Sequence, residues 1–247
     1  MIDVMKIQNV SYDVGKINII NNVSFTTKKN EFVSIIGPSG CGKSTLLRII
    51  VGLIPPTKGR IFYMNREVTS PRKEISFVFQ DFGLLPWLTN IENVKVGLSY
   101  FDISDEEKEK TAKDLLTKFG LDGFEYSYPN VLSGGMRQRV GIARAIASEP
   151  FVLLMDEPFS SLDELTANTL RSDILGMLKS TELPVNSVIM VTHNVEEAVE
   201  LSNKIVILSN KPSRVKQILE IDLPYPRDRR SRKFSDKVDE IYKILTG

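Results

Sequence analysis

The sequence has a single cysteine, a single histidine and a single tryptophan in 247 residues. With only Cys41, the chain cannot form an internal disulfide, which favours a reducing compartment. No apolar run reaches the roughly 18 residues that a membrane-spanning helix needs. The opening residues, MIDVMKIQNV, also lack the basic and then apolar pattern of a secretion signal. We therefore expect a soluble, cytoplasmic protein.

Excess charge of one sign is also missing. Lys and Arg number 32 against 31 Asp and Glu, for a formal net charge of +1. Nothing in this balance favours nucleic acid or anionic lipid as the main partner. The chain has no internal repeat and no low-complexity segment. A chain of this length can bury about three-quarters of its unfolded surface, as one large domain or two small ones.

What the sequence does contain is a complete phosphate-loop motif, GPSGCGKST, at 37–45. Glycines let successive backbone N–H groups face a β-phosphate, and Lys43 is a point charge for the β- and γ-phosphates. The Ser44 hydroxyl is placed to hold Mg²⁺. The flanks agree, because a strand-like run at 31–36 precedes the motif and a helical pattern at 45–54 follows it. The motif predicts an ATP or GTP site; the alternative is a glycine-rich turn that binds no nucleotide. The predicted nucleotide ligands are Gly37, Pro38, Ser39, Gly40, Cys41, Gly42, Lys43, Ser44 and Thr45.

Strand and helix patterns alternate along the chain, which predicts a parallel α/β core. An antiparallel part is expected near the N-terminus, with a hairpin at 59–68 that turns at Asn65-Arg66. A helical insert is expected around 90–148, and the basic stretch 227–233 is expected to be a solvated linker. The predicted strands are 2–10, 17–25, 31–36, 75–79, 151–155, 188–192 and 204–209, and the predicted helices are 45–54, 104–119, 134–148, 164–182 and 236–245.

Two adjacent carboxylates follow the apolar run 151–155. Ligands of parallel sheets bind at the carboxyl ends of the strands. Asp156 can therefore contribute to a Mg²⁺ shell, and Glu157 can orient or deprotonate an attacking water. Without a phosphate loop in the same chain, two acids after a strand would be an ordinary turn.

A second anion-binding helix start is predicted at LSGGMRQR, residues 132–139. The alternative is a simple helix cap made by Ser133.

Taken in order, the motifs resemble those of the ATP-binding cassette (ABC) ATPases over nearly the whole chain. The order is phosphate loop, Gln80, LSGGMRQR, Asp156-Glu157, Ser161-Leu162-Asp163 and His193. One departure is Met136, where many members have Gln. LSGGMRQRV, the loop LLPWLT and the stretch Pro226 to Arg229 resemble the nitrate/sulfonate/taurine importer branch.

The resemblance implies a P-loop NTPase core with a mainly parallel sheet, an N-terminal antiparallel β subdomain and a helical insert that carries the signature motif. It implies one nucleotide-binding domain over 1–247, with the helical subdomain at about 90–148. A short basic linker and a C-terminal helix would occupy about 224–247.

The resemblance also implies a head-to-tail dimer of two copies with Mg-ATP between them. Ser133, Gly134 and Gly135 would contact the γ-phosphate bound by the other copy. Asp163 matches the acid that crosses the dimer interface.

Three further roles are implied within each copy. Gln80 matches the glutamine that contacts Mg²⁺ and the attacking water and couples the site to the membrane subunits. His193 matches the switch histidine at the γ-phosphate, and Tyr12 matches the aromatic that stacks on adenine. Read without the family pattern, a lone histidine is more often structural and an aromatic at a strand end is as often core.

The implied function is ATP hydrolysis (catalytic residues Glu157, His193, Gln80 and Lys43) that drives solute import. The implied partners are membrane permease subunits and, indirectly, an extracytoplasmic solute-binding protein, with no nucleic acid. The chain would lie at the cytoplasmic face of the membrane. The transported solute is not encoded in these motifs.

Three other functions compete with this one. ABC ATPases of DNA repair or chromosome structure have a long coiled coil between phosphate loop and signature, whereas Lys43 and Ser133 are only 90 positions apart (133 − 43). A non-hydrolysing module is disfavoured by intact Gln80, Glu157 and His193. A soluble assembly ATPase of the iron–sulfur scaffold type shares every motif and stays open.

Two local features carry expectations of their own. Cys41 lies at the start of a predicted helix, which favours thiolate and predicts a reactive thiol; the alternative is a small buried filler. The segment 82–88 has five large apolar residues around Gly83 and Pro86. We expect it to receive a permease helix; the alternative is that all five fill the core.

Overall fold

The structure is a computed structural model that describes residues 3–160, 162–179 and 185–247. Residue 2 of the first predicted strand, Ser161 of the predicted interface motif and residues 180–182 of the predicted helix 164–182 lie outside the described residues. The chain divides into two compact units, Met1–Arg72 with Asn186–Gly247, and Lys73–Val185. The single domain over 1–247 stays a prediction.

The strands, in chain order, are β1 (Asp3–Val14), β2 (Ile17–Lys28), β3 (Glu31–Ile36), β4 (Lys58–Tyr63), β5 (Arg66–Glu67), β6 (Ile75–Val78), β7 (Val152–Asp156), β8 (Ser187–Val191), β9 (Lys204–Leu208) and β10 (Val215–Glu220). The helices are α1 (Lys43–Ile50), α2 (Asn90–Gly97), α3 (Asp105–Lys118), α4 (Gly134–Ala147), α5 (Glu164–Lys179), α6 (Val195–Leu201) and α7 (Arg232–Thr246), with a short 3-10 turn at Pro129–Val131.

The first unit contains the predicted antiparallel sheet, with strand order β2-β1-β4-β5. The predicted hairpin is present between β4 and β5, but its turn is displaced by one residue. Met64 and Asn65 both have positive φ, 44° and 63°. Such values suit the two central residues of a tight hairpin turn. The prediction of Asn65-Arg66 is therefore wrong, because Arg66 already pairs with Tyr63 as the first residue of β5.

Three parallel strands form the core of the same unit. β3 pairs in parallel with both β8 and β9, and β10 adds to β9 in the antiparallel sense. Every residue of β3, β8 and β9 is buried. Burial along whole strands is typical of parallel sheets with both faces covered. Helices α6 and α7 pack against β3 and β9 through an apolar cluster that includes Ile36, Ile207, Ala198, Phe234 and Ile241.

The basic stretch 227–233 is a solvated linker only in part: Arg227 and Arg229 are half-buried, Arg230 is exposed, and Arg232 and Lys233 already belong to α7. The Arg227 guanidinium donates to the carbonyls of Val199 and Ser202 at the end of α6, with N···O distances of 2.5 and 2.6 Å. It also stacks over the ring of Tyr225 at 4.2 Å. The carbonyls in the last turn of a helix have no intrahelical partners, and here the Arg227 guanidinium donates to them.

The second unit pairs β6 and β7 in parallel and contains the helical insert, α2 to α4. The predicted helices at 104–119 and 134–148 are confirmed, and Ser104 and Glu107 form the predicted capping box. Helix α2 was not predicted, although Thr89 and Glu92 form a second capping box that its sequence displays.

Among the described residues, no helix combines the length and the apolar character needed to cross a membrane.

Candidate functional site

The phosphate loop joins β3 to α1 in the first unit. Gly42 is the N-cap of α1, with φ 108°, and no side chain caps this helix start. A Cβ atom at Gly42 would lie 2.9 Å from Cγ2 of Ile19. Only glycine combines this backbone with this packing. The first turn of α1 therefore presents backbone N–H groups and the positive end of its dipole toward a phosphate.

Lys43 is folded onto the loop itself. Its Nζ donates to the carbonyls of Gly37 and Pro38, at 2.9 and 3.1 Å, and its side chain is 6% exposed. Both carbonyls are neutral, so a phosphate can replace them as the partner of the ammonium. The residues therefore fit a nucleoside triphosphate.

Cys41 differs from the expectation of a reactive thiolate. Its side chain is 2% exposed, and burial raises the pKa of its thiol, while the charge of Lys43 acts in the opposite direction. A Cβ on Gly37 would lie 3.2 Å from Sγ of Cys41, so the thiol fills the inside of the loop. The prediction that the helix start favours thiolate is wrong, because desolvation outweighs it.

His193 lies at the same sheet edge as the phosphate loop. β3 and β8 are parallel, with Ile35 opposite Val191. Two residues further along each strand come Gly37, the first residue of the loop, and His193, which is exposed. The imidazole therefore belongs to the carboxyl edge that presents the phosphate loop.

Tyr12 lies near the phosphate loop because its partner strand, β2, packs on that loop. It pairs with Ile20, and the neighbouring Ile19 packs on Gly42. Its side chain is half-buried. The antiparallel sheet thus places an aromatic ring next to the strand that supports the loop.

In the second unit, a parallel register brings Gln80 and Glu157 to one edge. Val78 of β6 lies opposite Met155 of β7, and Gln80 and Glu157 each follow two residues later. Glu157 has φ 46°, an uncommon backbone for a residue with a side chain, and its carbonyl accepts from Oγ of Ser160 at 3.0 Å. Backbone strain of this kind is concentrated at functional sites.

Asp156 ends β7 and is 2% exposed. Carboxylate and hydroxyl oxygens are ligands that Mg²⁺ prefers, and Mg²⁺ is bound through one or two protein oxygens plus substrate phosphates. Among the described residues, no three His, Cys, Asp or Glu side chains converge as an all-protein cage. The Asp156 carboxylate is thus an oxygen donor of the type that fits Mg²⁺ carried by a nucleotide, and the Ser44 hydroxyl of the first unit stays a predicted ligand.

The signature residues begin α4, beside the start of α5. Ser133 caps α4 by accepting from N of Met136 at 3.2 Å. Asp163 accepts from N and Oγ1 of Thr166, at 3.0 and 2.6 Å, and these bonds lower the pKa of its carboxyl. Gly135 packs so closely on Thr166 that a Cβ atom would collide with the Thr166 methyl. The two predicted interface motifs are therefore packed together within this unit.

The segment 82–88 does not fill the core. Trp87 is 69% exposed, and the other four large apolar residues are half-buried. The alternative that all five belong to the core is wrong. Sequence reasoning missed the two polar side chains that hold this segment, Asn93 of α2 and Arg144 of α4.

A phosphate loop at the carboxyl edge of parallel strands, in a chain where another parallel strand ends on Asp156-Glu157, defines a P-loop nucleoside triphosphatase of the α/β class. The ABC transporter family profile matches residues 20–160. The chain belongs to the ABC transporter family and is an ABC transporter ATPase that converts ATP and water to ADP and phosphate. The fold class predicted from the resemblance is confirmed.

Relatives match along most of the chain. An ABC transporter ATP-binding protein of Methanocaldococcus jannaschii is 42% identical over 98% of this chain and 91% of the relative. An aliphatic sulfonates import ATP-binding protein of Bacillus cereus is 43% identical over 92% of this chain and 88% of the relative. The second of these relatives confirms the resemblance to the sulfonate importer branch.

Solved structures agree in fold. A dimeric ATP-binding cassette in a post-hydrolysis state with ADP and phosphate superposes with a TM-score of 0.78, at 34% identity over 89% of this chain and 100% of that one. An ATP-binding subunit of an ABC transporter gives a TM-score of 0.80, at 27% identity over 99% of this chain and 100% of that one.

Proposed function

We propose that this chain is the ATPase subunit of an ABC importer of the nitrate/sulfonate/taurine type. Two copies close on two Mg-ATP and drive separate permease subunits. The observation that carries this proposal is the 43% identity, over 92% of this chain, to a protein named for aliphatic sulfonate import. The absence of a long insertion between Lys43 and Ser133 supports a transporter over a DNA-repair ATPase.

The nucleotide is held in this proposal by the phosphate loop of one copy. Lys43 leaves the carbonyls of Gly37 and Pro38 for the β- and γ-phosphates. Ser44 and Asp156 would hold Mg²⁺, which would supply charge neutralisation for the phosphates. Tyr12 stacks on the adenine ring.

Hydrolysis is assigned to the residues at the two strand edges. Glu157 orients or deprotonates the attacking water, Gln80 positions that water, and His193 contacts the γ-phosphate. The second copy completes the site with Ser133, Gly134 and Gly135, whose backbone begins helix α4, and with Asp163 at the interface.

The permease contact is assigned to the docking loop, which we define as Phe82–Leu88. It follows Gln80 directly, and it exposes the only tryptophan of the chain, Trp87. A large exposed ring on a loop of half-buried apolar residues is typical of a partner site. The partner lies at the cytoplasmic face of the membrane, and an extracytoplasmic solute-binding protein acts on it from the other side.

The proposal is tested by Trp87→Ala, with Leu85→Ser as a second variant. We expect Trp87→Ala to keep the fold and the basal ATPase rate, because its ring contributes little buried area, and to lose assembly with permease subunits. Co-purification and transport in vesicles measure the loss. The exposed Tyr100→Ala is a matched control on the same unit. Normal assembly by Trp87→Ala would remove the docking loop from the interface.

A further inference from the structure

The docking loop lies between the end of β6 and the start of α2 and has little regular structure of its own. Its backbone supplies two turn hydrogen bonds, from N of Phe82 to O of Phe79 at 3.0 Å and from N of Leu88 to O of Leu85 at 3.1 Å. A loop with so few backbone bonds samples many conformations unless other groups order it.

The first group that orders the loop is the guanidinium of Arg144, on α4, the helix that begins at the signature residues. Its Nη1 donates to the carbonyl of Gly83 at 2.7 Å, and its Nη2 donates to the carbonyl of Phe82 at 2.8 Å. These two carbonyls are consecutive, and the planar fork of a guanidinium matches them as a pair. Gly141, one turn earlier on α4, faces the same carbonyl of Phe82, and a Cβ there would lie 3.2 Å from it.

The second group that orders the loop is the side-chain amide of Asn93, on α2. It is fully buried, and its Nδ2 donates to the carbonyls of Leu85, Leu88 and Thr89 at 3.1, 3.1 and 3.0 Å. Its Oδ1 accepts from N of Leu85 at 2.8 Å. One amide therefore fixes the loop on both sides of the exposed Trp87.

Apolar residues on an untethered loop would turn inward to bury their surface. Here the backbone on either side of Trp87 is bonded to Asn93, and the start of the loop is bonded to Arg144. On this loop the ring of Trp87 is 69% exposed. The same helix that carries Arg144 begins with Ser133, Gly134 and Gly135.

We propose that Asn93 and Arg144 are positioning residues that hold the docking loop preformed for the permease, and that Arg144 ties this loop to the signature helix. The role of the loop in permease binding rests on the proposed function, whereas the hydrogen bonds that order its backbone do not. Binding to a preformed loop avoids the entropy cost of ordering it, so loss of either side chain weakens permease binding.

The hold on the loop is tested without any permease. In Asn93→Asp the size is kept but the three donor bonds are lost, and in Arg144→Lys the bidentate fork is lost. We expect amide hydrogen exchange at Phe82, Leu85 and Leu88 to accelerate about tenfold or more. Fluorescence anisotropy of Trp87, the only tryptophan, should fall.

Arg139→Lys is the matched control, since Arg139 lies on the same helix but donates to the carbonyl of Phe119 at 2.7 Å. It should leave the exchange of the loop and the anisotropy of Trp87 unchanged. If Arg144→Lys does not fold, Asn93→Asp decides the question alone. Wild-type exchange and anisotropy in the folded variants would overturn the proposal.

The link to the partner is tested by assembly with permease subunits. We expect Asn93→Asp and Arg144→Lys to weaken assembly about tenfold or more while Arg139→Lys does not. A loosened loop with unchanged assembly would overturn the positioning role. That result differs from failure of the proposed function, in which Trp87→Ala itself assembles normally.

Discussion

At the scale of single residues, Cys41 shows how burial competes with a helix start. Its thiol is 2% exposed inside the phosphate loop, and burial raises its pKa although Lys43 lies two residues away. The positive end of α1 and the charge of Lys43 favour thiolate, but taking a thiolate out of water costs more. The thiol therefore stays protonated at neutral pH and acts as a small apolar filler.

Alkylation should consequently be slow in the native protein. We expect iodoacetamide to modify Cys41 at pH 8 on the order of 100-fold more slowly in the native chain than in urea, because reaction requires local opening. Mass spectrometry of quenched samples measures both rates. Equal rates would show that the thiol is accessible.

The raised pKa also sets the sign of a pH effect. Because the folded-state pKa lies above the ordinary value of 9.0, the contribution of Cys41 to stability is fully present below pH 9. It is lost as the pH rises through the folded-state pKa. The free energy of unfolding should therefore fall more steeply above pH 9 in the wild type than in Cys41→Ala, and parallel curves would contradict this.

At the scale of secondary structure, the start of α4 is fixed by its packing on α5. Thr166 is held by its bond to Asp163 at 2.6 Å, and its methyl group lies where a Cβ on Gly135 would be. The glycine is thus required by its packing on the neighbouring helix. Ser133 caps α4 independently of that packing.

Gly135→Ala should therefore destabilise the chain by about 1–3 kcal/mol, measured by urea unfolding, because the clash must be relieved by movement of α4 or α5. In a Thr166→Ser background, which removes the methyl and keeps the hydroxyl, the cost should shrink. Gly176→Ala is the control, since a Cβ there meets nothing within 4 Å. It should stabilise α5 by roughly 0.5–1 kcal/mol. Equal effects at the two glycines would refute the packing argument.

At the scale of the whole molecule, the proposed ATP-bound dimer should accumulate when hydrolysis is slowed. Glu157→Gln keeps the shape of the side chain and removes its ability to accept a proton. We expect ATP binding to persist, turnover to fall about 10²- to 10⁴-fold, and an ATP-bound dimer to accumulate on gel filtration.

Glu149→Gln is a matched control for this variant. Glu149 is exposed and has φ 50°, close to the 46° of Glu157. The control therefore shows whether a Glu→Gln change at a positive φ alters ATP turnover by itself. Full turnover by Glu157→Gln would remove that residue from the catalytic role. An ATP-bound form that stays monomeric would contradict the shared site.

The features that the sequence determined by itself are those decided within a few residues of one another. The phosphate loop, the capping box of Ser104 and Glu107 and the buried strands are all of this kind, because each depends on a local spacing. The family resemblance adds the order of the motifs. Boundaries were less accurate; for example, α1 begins at Lys43 and not at Thr45.

Properties that depend on distant neighbours became visible only in the folded chain. Arg144 bonds a carbonyl 61 residues away, and Arg227 caps a helix 28 residues away. Burial reversed the expected chemistry of Cys41, and the loop bonded to Asn93 leaves Trp87 exposed. Hydrogen bonding and desolvation act through space, so a side chain's charge and exposure follow from what the fold places around it and not from its nearest residues in sequence.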